Sequence, residues 1–324
     1  MNHPMLLRLR QVFDAGLSDF LKDYPENDVA GIYNPIHYLL ALGGKRLRPV
    51  VALAAAEAES ENALSALPVA MAVELFHNFT LMHDDIMDAA PLRRGKQTVH
   101  LKWDENAAIL SGDTMYTLAN MALAKTRNAQ YSAVANWFHR TALEVCLGQQ
   151  LDMSFENRND VTLEEYTEMI RLKTSVLLAA SMAMGAAAAG ADEERQNVWY
   201  RFGEQVGLAF QIQDDLLDTF GGDVVGKQIG GDILADKKTH LWIHTLAAGG
   251  EEVLRRWEGP TSNPDEKIES IRNAMLAARA DEVARAAMRG HVEAASAELE
   301  KMNLNADHDA FFRGIALHVV ERVS

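Results

Sequence analysis

The stretch Leu75-Phe76-His77-Asn78-Phe79-Thr80-Leu81-Met82-His83-Asp84-Asp85-Ile86-Met87-Asp88 carries an apolar, helix-compatible run straight into three carboxylates. A second copy of its ending, Asp214-Asp215-Leu216-Leu217-Asp218, lies 130 residues further on in a similar setting. Both read D-D-x-x-D. Positions three and four apart share a helix face, so Asp84 and Asp88 project together with Asp85 beside them, and the second copy repeats the arrangement. Carboxylates in an apolar setting are costly unless something neutralises them. Two such triads aimed at one another carry roughly six negative charges, which suits hard divalent cations.

Outward from these motifs the chain keeps reading as helix. Ala, Leu, Met and Glu dominate, apolar residues recur at three- and four-residue spacing, and strand or Asn-Gly hairpin signals are nearly absent. Helices are expected over 64–88, 106–126, 132–151, 163–189, 192–218, 267–280 and 283–301. Thr162-x-x-Glu165 has the form of a capping box opening one of them. Breakers at Gly43-Gly44, Pro91, 156–160, Gly221-Gly222, Gly249-Gly250 and 259–264 mark the joints. No long linker or composition shift divides the chain, so the expected fold class is all-α, a single domain over 1–324.

The bulk numbers exclude several classes. With 324 residues and 48% apolar content the chain can bury a large core. The 31 basic residues against 46 acidic ones leave a formal net charge of −15, which argues against a general nucleic-acid binder. Cys146 is the one cysteine, so an intrachain disulfide is impossible and a cytoplasmic setting is the expectation. The N-terminal residues have no signal-peptide core. The weakly polar run 176–190 is too short and alanine-rich for a membrane span; it reads as a buried, closely packed helix, and no transmembrane segment is expected.

Basic residues accompany the carboxylates. Arg93-Arg94 follows the first motif after Pro91, and arginine forks suit phosphate oxygens. Lys173-Thr174 lies mid-helix, Lys227 in Gly226-Lys227-Gln228-Ile229-Gly230-Gly231-Asp232, and Lys237 and Thr239 close the series. Taken singly, a solvated loop or a snorkelling lysine explains these as well. Gly43-Gly44-Lys45-Arg46-Leu47-Arg48-Pro49 can turn tightly and expose backbone N–H groups to an anion, or start a helix with Pro49 in its first turn; both can hold.

In this order the motifs resemble the trans-polyprenyl (isoprenyl) diphosphate synthase family, over most of the chain. The resemblance implies an all-α isoprenoid-synthase bundle around an apolar cavity. It also implies an Mg²⁺-dependent prenyltransferase, with three ions expected when substrate is bound. The enzyme would condense isopentenyl diphosphate with allylic diphosphates (dimethylallyl, geranyl, farnesyl) and work as a homodimer. Isopentenyl diphosphate would be held by Lys45, Arg48, His77 and Arg94. The allylic diphosphate would lie near Arg93, Lys173, Thr174, Gln211, Lys227 and Lys237. Metal would be bridged to Asp84, Asp88 and Asp214, with Asp85, Asp215 and Asp218 in support. Asp84, Asp85, Asp88, Asp214, Lys173 and Lys227 would carry catalysis.

Product length is a question of cavity depth. Phe79, five residues before Asp84, lies roughly 7.5 Å below it on a helix. With Thr80 it resembles the family's chain-length positions. An aromatic floor there implies a C20 product, with C15 as the alternative; the floor could instead be set by Phe76 or a partner helix. A terpene cyclase would lack the second full aspartate motif and the isopentenyl pocket. A non-catalytic subunit would have lost one motif, and a Ca²⁺-binding helical protein leaves the arginines and lysines unexplained. The segment beyond Glu251 carries no motif and reads as packing and interface.

Overall fold

The three- and four-residue apolar spacing does build helices. The computed structural model describes residues 3–26, 28–221 and 230–321, and they are helical nearly throughout. Every helix expected from the sequence forms, within a few residues at each end. The helix start expected at Pro49 is there too, as α3 (Leu47–Ser60), and two further N-terminal helices precede it, α1 (Pro4–Leu21) and α2 (Tyr33–Ala41). The all-α expectation holds. The strand content among the described residues is one two-stranded antiparallel pairing, β1 (Leu92–Arg93) with β2 (Lys96–Gln97). Its turn residues Arg94 and Gly95 both have positive φ, 52° and 75°, the geometry that matches the twist of a tight hairpin.

The chain forms two compact units. The first comprises Asn2–Phe138 and Ala180–Asn197. It holds α1 to α3, then α4 (Leu67–Met87), the hairpin, α5 (Val99–Lys102) and α6 (Glu105–Leu123). It also holds the first part of α7 (Asn128–Phe155) and the last part of α9 (Val176–Ala188). Helix α4 is apolar almost all round, with Val69, Ala70, Ala72, Val73 and Leu75 fully buried, and packs along α3 and α6. The expected close-packed helix is α9: a Cβ on Gly185 would overlap the Ala52 carbonyl of α3. A side chain there would force the two backbones apart.

The second unit comprises His139–Ala179 and Val198–Ser324. It contains the rest of α7, α8 (Leu163–Ile170), the start of α9 and most of α10 (Glu193–Phe220). The remaining helices follow: α11 (Gly231–Leu234), α12 (His240–Ala247), α13 (Glu251–Arg256), α14 (Pro264–Ala277), α15 (Ala280–Lys301) and α16 (Ala306–Glu321). The capping box is present: Thr162 Oγ1 accepts from Glu165 N–H, and the Glu165 carboxylate accepts from Thr162 N–H. Trp199, Phe202, Phe311 and Phe312 are fully buried, with Trp199 and Phe312 ring centroids 4.6 Å apart.

Two helical stretches, Ala63–Met87 and Leu163–Ala188, are long and apolar enough by composition to cross a membrane. The apolar window of the second is 83% buried inside the protein, and a helix buried in a protein core meets the same measure.

Candidate active site

In the first unit, the first motif occupies the last turn of α4. Asp88 is its C-cap, Ala89 takes a left-handed φ of 47°, and the Ala90 and Ala89 N–H groups bond back to the Asp85 and Ile86 carbonyls. This is a Schellman ending. It leaves three carboxylates at the negative end of the helix dipole, where an anion is disfavoured and a cation favoured. The three are not equivalent. Asp85 is only 2% exposed, and its Oδ1 accepts from Arg93 Nε at 3.0 Å and Nη2 at 2.5 Å. Burial pushes its pKa up and Arg93 opposes that, with a net rise. Asp84 is partly exposed, 3.8 Å from Arg93, and Asp88 is exposed. Arg93, expected near the allylic diphosphate, donates here to the motif's central carboxylate.

The basic group gathers one to two turns upstream. Arg48 Nη1 lies 3.2 Å from His77 Nε2. A guanidinium can only donate, so this ring nitrogen accepts and Nδ1 carries the proton. Burial, then the charges of Arg48, Arg94, Arg93 and Arg46, hold His77 well below the ordinary histidine range, so the imidazole is neutral. Arg94 lies against Gly44, whose φ is 148°; a Cβ there would come within 2.9 Å of Arg94 Nη2. The glycine pair therefore makes room for an arginine. Lys45 is exposed on the same loop, and α3 begins at Leu47 with Pro49 in its first turn. The structure thus brings Arg48, His77 and Arg94 into one cluster. Arg46 and Glu74, which the sequence did not single out, are part of it: buried Arg46 donates to buried Glu74 and to the Leu40 carbonyl. A glutamate inside Val73-Glu74-Leu75-Phe76 was the available signal.

Phe79 belongs to an aromatic cluster in the same unit. Its ring centroid is 5.6 Å from Phe76, 5.4 Å from Tyr116 of α6 and 4.7 Å from His83. Phe138 joins at 5.5 Å from Phe76. Thr80 spends its hydroxyl on the His77 carbonyl.

In the second unit, the second motif lies in the last turns of α10, again at a negative helix end. Its central residue, Asp215, is 3% exposed. It accepts from Tyr166 Oη at 2.6 Å and Gln211 Nε2 at 3.1 Å, and Thr174 Oγ1 donates to Gln211 Oε1. Burial drives its pKa up to about 7, against the pull of these hydrogen bonds, with Asp214 adding to the rise. Asp218 accepts the Asp232 N–H at 2.9 Å, capping the turn that starts α11; Asp214 is partly exposed.

Lys173 and Thr174 sit in a π-helical turn, Arg171–Ser175, between α8 and α9. Such turns recur at functional sites. Glycines allow neighbouring helices to close on it: a Cβ on Gly148 would overlap Lys173 N, and one on Gly207 would lie 2.6 Å from Ser175 Cα. Lys173 Nζ donates to Asp152 at 2.6 Å, and Lys237 Nζ to Asp152 at 3.1 Å and Glu156 at 3.0 Å. Burial pulls the Asp152 pKa up, but the two lysines outweigh it and the net shift is down. Asp152, buried in an amphipathic helix, was not foreseen. The loop bearing Lys237 is anchored from beyond Glu251: fully buried Lys267 donates to Asp236 at 2.7 Å. Lys227 lies outside the described residues.

Among the described residues, no group of three or more acidic, His or Cys side chains forms a ready-made metal cage. Mg²⁺ is usually held by one or two carboxylates completed by phosphate oxygens and water. Asp84 and Asp88 at the end of α4 offer carboxylate oxygens of the right hardness, and so, in the other unit, does Asp214 near the end of α10; each set of residues fits that ion.

Helices ending in aspartate clusters, with lysines and arginines collected nearby, define a metal-dependent enzyme acting on phosphorylated substrates. The Polyprenyl synthetase family model matches residues 29–275, and the chain belongs to that family. It is therefore a prenyltransferase, and the family's chemistry is Mg²⁺-dependent. The chain is 44% identical over 239 residues to a geranylgeranyl diphosphate synthase of Methanosarcina mazei, covering 73% of each chain. It is 39% identical to a geranylfarnesyl diphosphate synthase of Natronomonas pharaonis, covering 74% of this chain and 75% of that one. A crystal structure of a geranylgeranyl pyrophosphate synthase superposes with a TM-score of 0.93 at 41% identity, over 100% of both chains.

Proposed function

We propose that the protein condenses isopentenyl diphosphate with dimethylallyl, geranyl and farnesyl diphosphates, and that its main product is the C20 geranylgeranyl diphosphate. The observation that carries this is on α4. That helix carries a neutral histidine, which arginines from α3 and the β1–β2 hairpin surround, and, at its negative end, a triad of carboxylates. It offers a place for an anion and a place for a cation.

Lys45, Arg48 and Arg94 hold the diphosphate of isopentenyl diphosphate, with His77 orienting Arg48. Asp84, Asp88 and Asp214 receive the metal, while Asp85, Asp215 and Asp218, bonded within the protein, keep the motifs in shape. Mg²⁺ held by these carboxylates, three ions with substrate bound, would supply Lewis-acid stabilisation to the departing diphosphate. Arg93, Lys173, Lys237 and Lys227 offset its remaining charge, and Thr174 and Gln211 position it. The isopentenyl double bond attacks the allylic carbon as the C–O bond breaks, and the departing diphosphate takes the proton then lost. No side-chain nucleophile is required. Apolar walls keep water from quenching the cationic carbon.

The ring of Phe79, backed by Tyr116 and Phe76, closes the chain cavity at C20. The geranylgeranyl names of the relatives support that length, and the geranylfarnesyl relative marks the next one up. The working form is a cytoplasmic homodimer of one polyprenyl synthase domain.

The test is incubation with Mg²⁺, isopentenyl diphosphate and each allylic diphosphate in turn, with products identified by mass. A linear C20 diphosphate is expected. Cyclic hydrocarbons would make the protein a cyclase, and no turnover with any primer would leave it a non-catalytic subunit. Phe79→Ala is expected to lengthen the products; an unchanged spectrum assigns the floor to another residue, Phe76 first.

A further inference from the structure

Glu74 lies in the middle of α4, 3% exposed, between neighbours that are themselves fully buried. A lone carboxylate there would be prohibitive, and it is not alone. Its Oε1 accepts from Arg46 Nη1 and, at 3.0 Å, from Asn78 Nδ2. Arg46 is itself 7% exposed, holds a left-handed φ of 53° at the start of α3, and donates through Nη2 to the Leu40 carbonyl at 2.7 Å. The pair therefore ties the end of α2, the loop 43–46 and the middle of α4 together. Lys45 immediately precedes Arg46 and Arg48 lies two residues after it; one turn beyond Glu74 is His77, the partner of Arg48.

We propose that Glu74, acting through Arg46, is the positioning residue of the isopentenyl diphosphate pocket. It fixes the loop that carries Lys45 and Arg48 against the helix that carries His77. This rests on the assignment of Lys45, Arg48, His77 and Arg94 to that substrate. Electrostatics agree with the geometry. Burial lowers the pKa of both Arg48 and Arg94, and the Glu74 charge works against that loss in each. The left-handed backbone at Arg46 is a conformation that non-glycine residues rarely take, and from it the guanidinium reaches both Glu74 and the Leu40 carbonyl.

The direction of the effect separates positioning from simple charge. Removing a negative charge from a pocket for an anion would, through space alone, tighten substrate binding. Loss of position loosens it. Glu74→Gln is therefore expected to raise the KM for isopentenyl diphosphate about tenfold or more, with the KM for the allylic diphosphate unchanged. Should that variant fold poorly, the double variant Arg46→Met/Glu74→Met removes both buried charges, which proteins often tolerate. It is expected to recover thermal stability while keeping the raised KM. A lowered KM, or a normal KM in either variant, overturns the proposal. Arg48→Ala is measured alongside. If it leaves the isopentenyl KM unchanged, the pocket assignment itself fails and this inference with it. If it raises that KM while Glu74→Gln does not, only the positioning role is lost.

Discussion

The two aspartate motifs share one pattern and both lie toward the C-terminal end of a helix, yet their buried central carboxylates sit in opposite electrostatic settings. Asp85 is held by a cation, the Arg93 guanidinium, with both of its bonds on one oxygen. Asp215 is held by neutral donors, Tyr166 and Gln211. Burial raises both, Asp215 to about 7. A charged partner lets a buried carboxylate stay ionised, whereas neutral partners leave the desolvation cost to be met by a proton. The third positions differ too. Asp88 is exposed, and Asp218 is bonded to the turn that follows it. One signature thus encodes two supports.

The largest expected effect tests what the motifs share. Asp84→Ala and Asp214→Ala each lower kcat/KM about a hundredfold or more in the product assay; a loss confined to one of them would make the other motif structural. Next comes the difference in support. Arg93→Ala strands Asp85 without its cation and costs about 2–3 kcal/mol in denaturant unfolding, while Tyr166→Phe, which leaves Gln211 in place, costs about 1 kcal/mol. Equal losses would break the contrast.

The pH dependence has a defined sign. The folded-state pKa of Asp215, about 7, exceeds the unfolded value of about 3.9. The folded protein therefore holds this proton more tightly, and the stability it confers is lost as pH rises from about 4 through about 7. Asp215→Asn removes that loss. Measured without metal, its Tm relative to the parent protein improves steadily between about pH 5 and pH 8. Parallel curves would place the proton elsewhere. His240, pushed down to about 4 by burial, acts in the opposite sense, destabilising the fold as pH falls from about 6.5 through about 4; it is common to both proteins and cancels. The smallest effect separates the third aspartates. Asp218→Ala costs about 1 kcal/mol as a lost cap, and Asp88→Ala costs close to none in Tm.

Much of the site was legible because its signals are local. Spacing within one helix put Asp84 beside Asp88, and Thr162 with Glu165 announced a helix start. What escaped were partners supplied from far along the chain. Nothing near Asp215 in sequence points to Tyr166, and nothing near Lys173 points to Asp152, which also receives Lys237. The π-helical turn at Lys173 was equally hidden. It depends on glycines, such as Gly148 and Gly207, that lie 25 and 34 residues from Lys173 in the chain.

By itself the sequence determined that the protein is helical, where its carboxylate triads fall, and which family's order of motifs it keeps, because helix periodicity and side-chain chemistry act over a few residues. Only the tertiary structure decided which aspartates face inward, that Arg93 serves Asp85, and that Glu74 and Arg46 lie under the basic cluster. Those outcomes depend on which buried polar groups find partners once the chain is packed. An unpartnered buried charge costs more than any local preference can offset, so packing, rather than pattern, assigned the roles.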